Sequence, residues 1–236
     1  MSSDDQKARF ASALHLRRLI KSIPPDEIRR MFDYDRRLLP NPYLAEKDKD
    51  VNSVEKAVSQ TGISPGYPSW NLLYYSLLSS LKPQAVIVEI GTHKGFSTII
   101  LAQAIKDRGG EGTVWTVDLD RFLVEMAERN VAEAGLSKFV RFNVDESAHF
   151  LSQFAVKADH IDFAFVDGDH SEVQVMREFE LLRPLVAGCG GKIFFDNTGS
   201  GGVAQALIRV RQQYGGNLVE FANCSWGPHG NVLWQA

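Results

Sequence analysis

The chain has 236 residues, 44% hydrophobic and 23% charged, which is enough apolar material for one large domain, or one domain with an extension. A net charge of −3 excludes the basic footprint of a nucleic-acid binder, so no nucleic-acid partner is expected. No apolar run approaches the ~18 residues that a membrane span requires, the N-terminus is polar, and the two cysteines, Cys189 and Cys224, form neither a CxxC pair nor a disulfide framework. These features lead us to expect a cytoplasmic protein with reduced thiols and no membrane partner.

Residues 4–36 read as two helices broken at Pro24-Pro25. The first is amphipathic through Phe10, Leu14, Leu16, Leu19 and Ile20, with Arg17, Arg18 and Lys21 toward its end; its apolar face calls for cover by its own domain or by a second subunit, so a homodimer is one expectation. Residues 38–53 are polar, contain Pro40 and Pro42, and read as a surface linker. Residues 1–62 are therefore expected to form a helical extension and linker, and residues 63–236 the main domain. A Leu- and Tyr-rich helix precedes the stop at Lys82-Pro83. Strands are then expected at 86–90, 113–118, 139–144, 161–166 and 191–195, with helices at 96–106, 121–134, 146–154, 171–185 and 202–214 between and after them. Two final strands, 218–222 and 231–234, form a hairpin. Five βα units and a terminal hairpin predict an α/β, doubly wound, Rossmann-like sheet of seven strands.

In such a sheet the ligand lies across the carboxyl ends of the strands. The first strand, Val86-Ile87-Val88-Glu89-Ile90, runs into Gly91-Thr92-His93-Lys94-Gly95-Phe96-Ser97. The spacing Gly91-x-x-x-Gly95 differs from the G-x-G-x-x-G of dinucleotide binders. An acid just ahead of the loop suits a ligand bearing hydroxyls or an amine better than a pyrophosphate. Gly91 and Gly95 let the backbone approach that ligand, and the amides opening the next helix can receive a carboxylate. Asp118 closes the second strand, where an acid accepts hydrogen bonds from ribose hydroxyls; this supports a nucleoside without naming it.

The third strand ends near Asp145, Glu146 and Ser147, the fourth in Asp167-Gly168-Asp169-His170 and the fifth in Asp196-Asn197. Helix capping accounts for some of these acids, Asp120 and Asp145 among them, but not for an acid at every strand end. Asp167, Asp196 and Asn197 are expected to converge from adjacent strands. Two carboxylates and an amide oxygen are hard ligands that suit Mg²⁺, or Ca²⁺ or Mn²⁺.

The glycine loop resembles motif I of the class I S-adenosylmethionine (SAM) methyltransferases, and the terminal hairpin is similar to that of their seven-stranded fold. Phe165-Val166-Asp167-Gly168-Asp169-His170 and Phe194-Phe195-Asp196-Asn197 resemble the metal-binding strand ends of cation-dependent O-methyltransferases, the catechol and caffeoyl-CoA enzymes among them. The Asp167-Gly168-Asp169-His170-Ser171 form is closer to a bacterial branch that includes macrolide-sugar O-methyltransferases and cephalosporin-hydroxylase-like proteins. The resemblance covers residues 64–197. It implies a SAM site at Glu89, Gly91, Gly95, Ser97, Asp118 and Ser147, and metal ligands at Asp167, Asp196 and Asn197. It places at His170 the general base that takes the proton of a small-molecule hydroxyl substrate. Tyr67, Trp226 and His229 are further candidates for a substrate wall. The other readings carried forward are a metal-independent N-methyltransferase and a SAM-fold protein that transfers no methyl group.

Overall fold

The computed structural model describes residues 21–23, 82–107, 109–221 and 230–236. They build one mixed sheet with helices on both faces. In chain order the elements are β1 (Lys21–Ile23), β2 (Val86–Ile90), α1 (Phe96–Asp107), β3 (Thr113–Asp118) and α2 (Arg121–Glu133). A short 3-10 turn (Ser137–Phe139) leads to β4 (Val140–Val144), α3 (Ser147–Lys157), β5 (Phe163–Val166), α4 (Glu172–Ala187), β6 (Lys192–Phe195), α5 (Gly201–Tyr214), β7 (Asn217–Phe221) and β8 (Val232–Gln235).

The strand order is β1-β7-β8-β6-β5-β2-β3-β4. Strands β4, β3, β2, β5 and β6 run parallel, while β8 lies antiparallel between β6 and β7. The seven strands expected from the hydrophobic pattern are all present, with ends shifted by one or two residues. Strand β5 is buried along its whole length and β2 nearly so, as continuous apolar runs in a two-faced parallel sheet must be. From β2 the chain winds outward through β3 and β4, then returns to lay β5 against the other side of β2. That reversal opens a crevice at the carboxyl ends of β2 and β5, the usual place for a ligand in an open α/β sheet.

One expectation is corrected. Lys21–Ile23, read from the sequence as the end of an amphipathic helix, is an edge strand that pairs in parallel with Val219–Phe221 and makes the sheet eight-stranded. Ile23 precedes Pro24, which disfavours the α conformation there, and the outer edge of β7 offers unpaired backbone groups to an extended segment. The rest of the expected N-terminal helices, the linker, the Leu- and Tyr-rich helix, Tyr67, Cys224, Trp226 and His229 lie outside the described residues. Among the described residues no helix is long and apolar enough to cross a membrane.

Helices α3, α4 and α5 pack together, and an extended apolar cluster lies beneath them. Phe179 of α4 is fully buried at its centre. Its ring meets Trp234 of β8 edge-on at 5.1 Å and also contacts Phe195 and Tyr214. Deep in the sheet Asp162 ties strand starts together: it accepts the Val86 amide at 2.9 Å and pairs with Lys82 at 2.9 Å. Phe179→Ala is expected to destabilise the fold by about 3–5 kcal/mol, read as a lower urea midpoint at unchanged slope, because the aromatic cluster joins α4 to β6, β8 and α5.

Candidate active site

The crevice holds a cavity of about 450 Å³ walled by the ends of β2, β3, β4 and β5 and by α4. Its shape starts at Gly91. This residue has φ +95°, and a Cβ built on it would lie 2.1 Å from the Asp167 carbonyl oxygen. The loops after β2 and β5 therefore meet only because position 91 is glycine. The Gly91 amide donates to the Val117 carbonyl at 3.0 Å, which draws the end of β3 into the same crevice. Gly95, at φ +84°, lets the loop settle against Ala127 of α2.

Asp118 lines the cavity. Its Oδ2 accepts the His93 amide at 2.8 Å and its Oδ1 accepts the Asp120 amide at 3.0 Å. A carboxylate has about four lone-pair sites, so both oxygens keep acceptor capacity toward the cavity. Asp120 caps α2 through the Phe122 and Leu123 amides, as expected of a helix-start acid. The companion expectation for Asp145 is corrected: Glu146 caps α3, accepting from Ala148 and His149, while Asp145 bonds the His149 ring at 2.7 Å. Asp169 accepts the Ser171 amide at 2.7 Å, and Ser171 caps α4.

Asp167, His170, Asp196 and Asn197 converge beyond the Gly91 loop. Asn197 is a non-glycine residue at φ +53°, a turn that its short polar side chain tolerates. Its Nδ2 lies 3.0 Å from Asp167 Oδ1, 3.3 Å from Asp196 Oδ2 and 3.2 Å from His170 Nε2. His170 Nε2 is in turn 3.5 Å from Asp167 Oδ1. The Asp167 contact raises the His170 pKa above the usual imidazole value, against the opposing effect of burial. Asp196 is only 6% exposed; burial, then the charge of Asp167, pushes its carboxyl well up, while the Asn197 backbone and Asn231 side chain hold it back. Asn231, at the start of β8, donates to Asp196 Oδ1. Among the described residues no group of three or more His, Cys, Asp or Glu side chains is arranged to hold a metal ion; the expected metal set brings two carboxylates together with an amide.

Of the nucleoside-site residues expected from sequence, Gly91, Asp118 and Ser147 line the cavity, whereas Glu89, Gly95 and Ser97 stand outside its wall. Glu89 is completely buried under the start of α1, where its Oε2 accepts from Thr98 Oγ1 at 2.5 Å. Burial pushes this carboxyl up to about 7, with the hydroxyls of Ser97, Thr116 and Thr98 opposing the shift. The wall residues that sequence reasoning missed include two polar ones on α4, Gln174 and Glu178, one turn apart. Ser147 Oγ donates to Glu178 Oε1 at 2.6 Å, and Gln174 Nε2 reaches the same oxygen at 3.2 Å, Ser147 Oγ at 2.8 Å and Glu146 Oε1 at 2.8 Å. Burial pushes Glu178 up to about 7, with Ser147 and Gln174 as the opposing partners.

A carboxyl whose folded pKa exceeds its unfolded value binds a proton on folding, so its contribution to stability falls as pH rises from about 4.5 to about 7. Glu178→Gln removes this titration while keeping an acceptor for Ser147. Between pH 4.5 and pH 8 the wild type is expected to lose about 3 kcal/mol more unfolding free energy than Glu178→Gln. Parallel urea titrations across that range check it, and identical slopes with pH for both proteins would contradict it.

Residues 88–198 match the family model of a methyltransferase domain. The chain is 28% identical over 134 residues to tapetum-specific methyltransferase 1 of Arabidopsis thaliana, covering 56% of this chain and 55% of that protein. It is 30% identical over 120 residues to the rhamnosyl O-methyltransferase of Mycobacterium bovis, covering 50% and 46%. The chain thus spans about half the length of the curated relatives it matches. Its fold is similar to the O-methyltransferase TomG of Streptomyces achromogenes, solved with SAM (TM-score 0.58, 21% identity, 82% of this chain and 94% of that one). It is also similar to an O-methyltransferase of Bacillus cereus solved with S-adenosylhomocysteine (SAH) (TM-score 0.58, 17% identity, 82% and 96%). Domain match, strand order and glycine loop agree: residues 88–198 resemble a methyltransferase domain, and they sit in a sheet with the fold of the solved O-methyltransferases.

Proposed function

We propose that this chain is a divalent-metal-dependent O-methyltransferase that moves the methyl group of SAM to a hydroxyl of a small molecule, of the natural-product kind. The observation that carries the reading is the convergence of Asp167, His170, Asp196 and Asn197 beside a cavity that Gly91 and Asp118 also line. The names of two relatives, a rhamnosyl O-methyltransferase and the O-methyltransferase TomG, support a hydroxyl acceptor.

The residues fit both groups that this reaction needs. Asp118 offers acceptor sites for two ribose hydroxyls, and the Gly91 loop leaves backbone room for the aminoacyl part. The metal set supplies hard oxygen donors, and three acceptors already crowd one amide NH₂ that has two hydrogens to give. Turning the Asn197 amide presents its oxygen at the same point, an orientation that heavy-atom positions do not distinguish. Asp167, Asp196 and Asn197 would hold Mg²⁺ or a similar cation, which when bound draws charge from a substrate oxygen and lowers the pKa of its hydroxyl.

The chain's own part is to place and deprotonate. Asp118 and the Gly91 loop fix the cofactor so that its sulfonium methyl faces the acid cluster. His170, half exposed and made more basic by Asp167, takes the hydroxyl proton as the oxygen–carbon bond forms and the carbon–sulfur bond breaks. Most of the acceleration comes from holding the oxygen and the methyl carbon in line at close range.

Calorimetric titration of SAH and of Mg²⁺ into the wild type and into Asp167→Ala tests the site. The wild type is expected to bind both, and the variant to keep SAH while losing Mg²⁺. With vicinal-hydroxyl acceptors, EDTA is expected to stop turnover, and His170→Ala to lower kcat by about 10²-fold or more without weakening SAH binding. SAH binding without Mg²⁺ binding, together with turnover indifferent to EDTA, would overturn the metal-dependent reading in favour of an amine-directed one. SAH binding with no transfer to any acceptor would favour a non-catalytic SAM-fold protein.

A further inference from the structure

We propose that Asn231, at the start of β8, is a positioning residue for the acid cluster: it holds the Asp196 carboxylate so that one oxygen alone is offered to a cation, and thereby sets a preference for Mg²⁺ over Ca²⁺. The inference rests on the metal-dependent reading of that cluster.

Antiparallel pairing brings the two residues together. The β6–β8 ladder ends with Phe195 opposite Val232, and one step further along the same register Asp196 meets Asn231. The turn after β6 is fastened to the same place. The Thr198 amide donates to the Gly230 carbonyl at 2.9 Å, and a Cβ built on Gly230 would lie 2.4 Å from Thr198 Oγ1. Asp196, Thr198 and Asn231 are all buried, Asn231 at 3% exposure.

The two Asp196 oxygens then do different things. Oδ1 accepts the Asn231 side-chain amide. Oδ2 lies 3.3 Å from Asn197 Nδ2, which is itself 3.0 Å from Asp167 Oδ1. Oδ2 therefore faces the point on which the cluster converges, while Oδ1 is turned to β8. To grip a cation with both oxygens the carboxylate would have to swing round and break the Asn231 bond, at the cost of a buried donor left unpaired. The donor is also neutral. An amide orients the carboxylate without cancelling the charge that attracts a cation, as a lysine or arginine in its place would.

Donation through one oxygen suits the smaller ion. Mg²⁺ demands near-octahedral geometry, keeps several waters and needs only one or two carboxylates, whereas Ca²⁺ takes more ligands and accepts both oxygens of a carboxylate. Asn231 thus orders the donor that Mg²⁺ uses and withholds the extra one that Ca²⁺ would take.

The test is calorimetric titration of Mg²⁺ and of Ca²⁺, at pH 8 and without acceptor, into the wild type, Asn231→Leu and Asn231→Ala. Leucine keeps the volume and loses the donor; alanine loses both. Circular dichroism verifies folding, and SAH titration verifies the cofactor cavity. The wild type is expected to bind Mg²⁺ at least about 10-fold more tightly than Ca²⁺. Both variants are expected to lose about 10- to 100-fold in Mg²⁺ affinity and much less in Ca²⁺ affinity, with SAH binding unchanged. A purely structural role for Asn231 would weaken both ions alike and leave their ratio as it was, which overturns the inference. A wild type without preference for Mg²⁺ overturns it even if neither variant folds. If the wild type binds SAH but neither ion, the metal-dependent reading falls and takes the inference with it; ion binding with an unchanged ratio in the variants removes the inference alone.

Discussion

The Asp167 carbonyl stands where a side chain at position 91 would have to be. This close approach is the constraint on which the rest of the site depends. It joins the loops that follow β2 and β5 at the one place where the winding of the sheet reverses. With the two loops in contact, Asp167 is delivered to the same crevice as the end of β3, and Asp118 lines the same cavity. Any side chain at Gly91 would push the loops apart and separate Asp118 from Asp167. The parallel sheet supplies rigid strands on which such positioning can be built.

Three carboxylates in this region share one electrostatic problem. Glu89, Glu178 and Asp196 are all buried, and burial is the leading reason that each holds its proton more tightly than a free acid. Their partners differ. Glu89 sits among hydroxyls under α1, Glu178 among Ser147 and Gln174, and Asp196 between an asparagine and a second acid. Glu89 is sealed from the cavity, which suits a role in fixing the start of α1 rather than in touching a ligand. Glu178 and the Asp196 cluster face or border it, and there the unmet demand for donors or positive charge is an attraction for what enters.

The sheet was legible because β2, β3, β5 and β6 are short apolar runs closed by an acid or a glycine turn, and α2, α3 and α4 start at capping side chains. The metal-type cluster was legible for the same reason: adjacent parallel strands bring their terminal residues together, so Asp167 and Asp196-Asn197 could be paired from topology alone. Less legible was the part that depends on where side chains turn. Glu89 reads as a ligand contact from its place before the loop, but strand alternation sends it under α1. Lys21–Ile23 carries no alternation long enough to mark a strand and gains its conformation from the edge of β7. Glu178 did leave a trace, since it interrupts the inward apolar spacing Val175, Phe179, Leu182 with a charge. An acid on a core-facing helix stripe is a signal worth reading. Asn231 left none; it acts only because β8 lands beside β6.

That placement of β8 bears on how the protein is made. The strand is the last in the chain order, yet it lies inside the sheet, between β6 and β7. A ribosome releases β2 to β6 long before residues 231–235 emerge. Until then β6 is a bare apolar edge, Phe179 has no indole to pack against, and Asp196 has no Asn231 beside it. Completion of the Asp196 cluster thus waits for residues 231–235, which follow β6 in the chain but lie beside it in the sheet. The β6 edge is the surface that chaperones would have to shield during that interval.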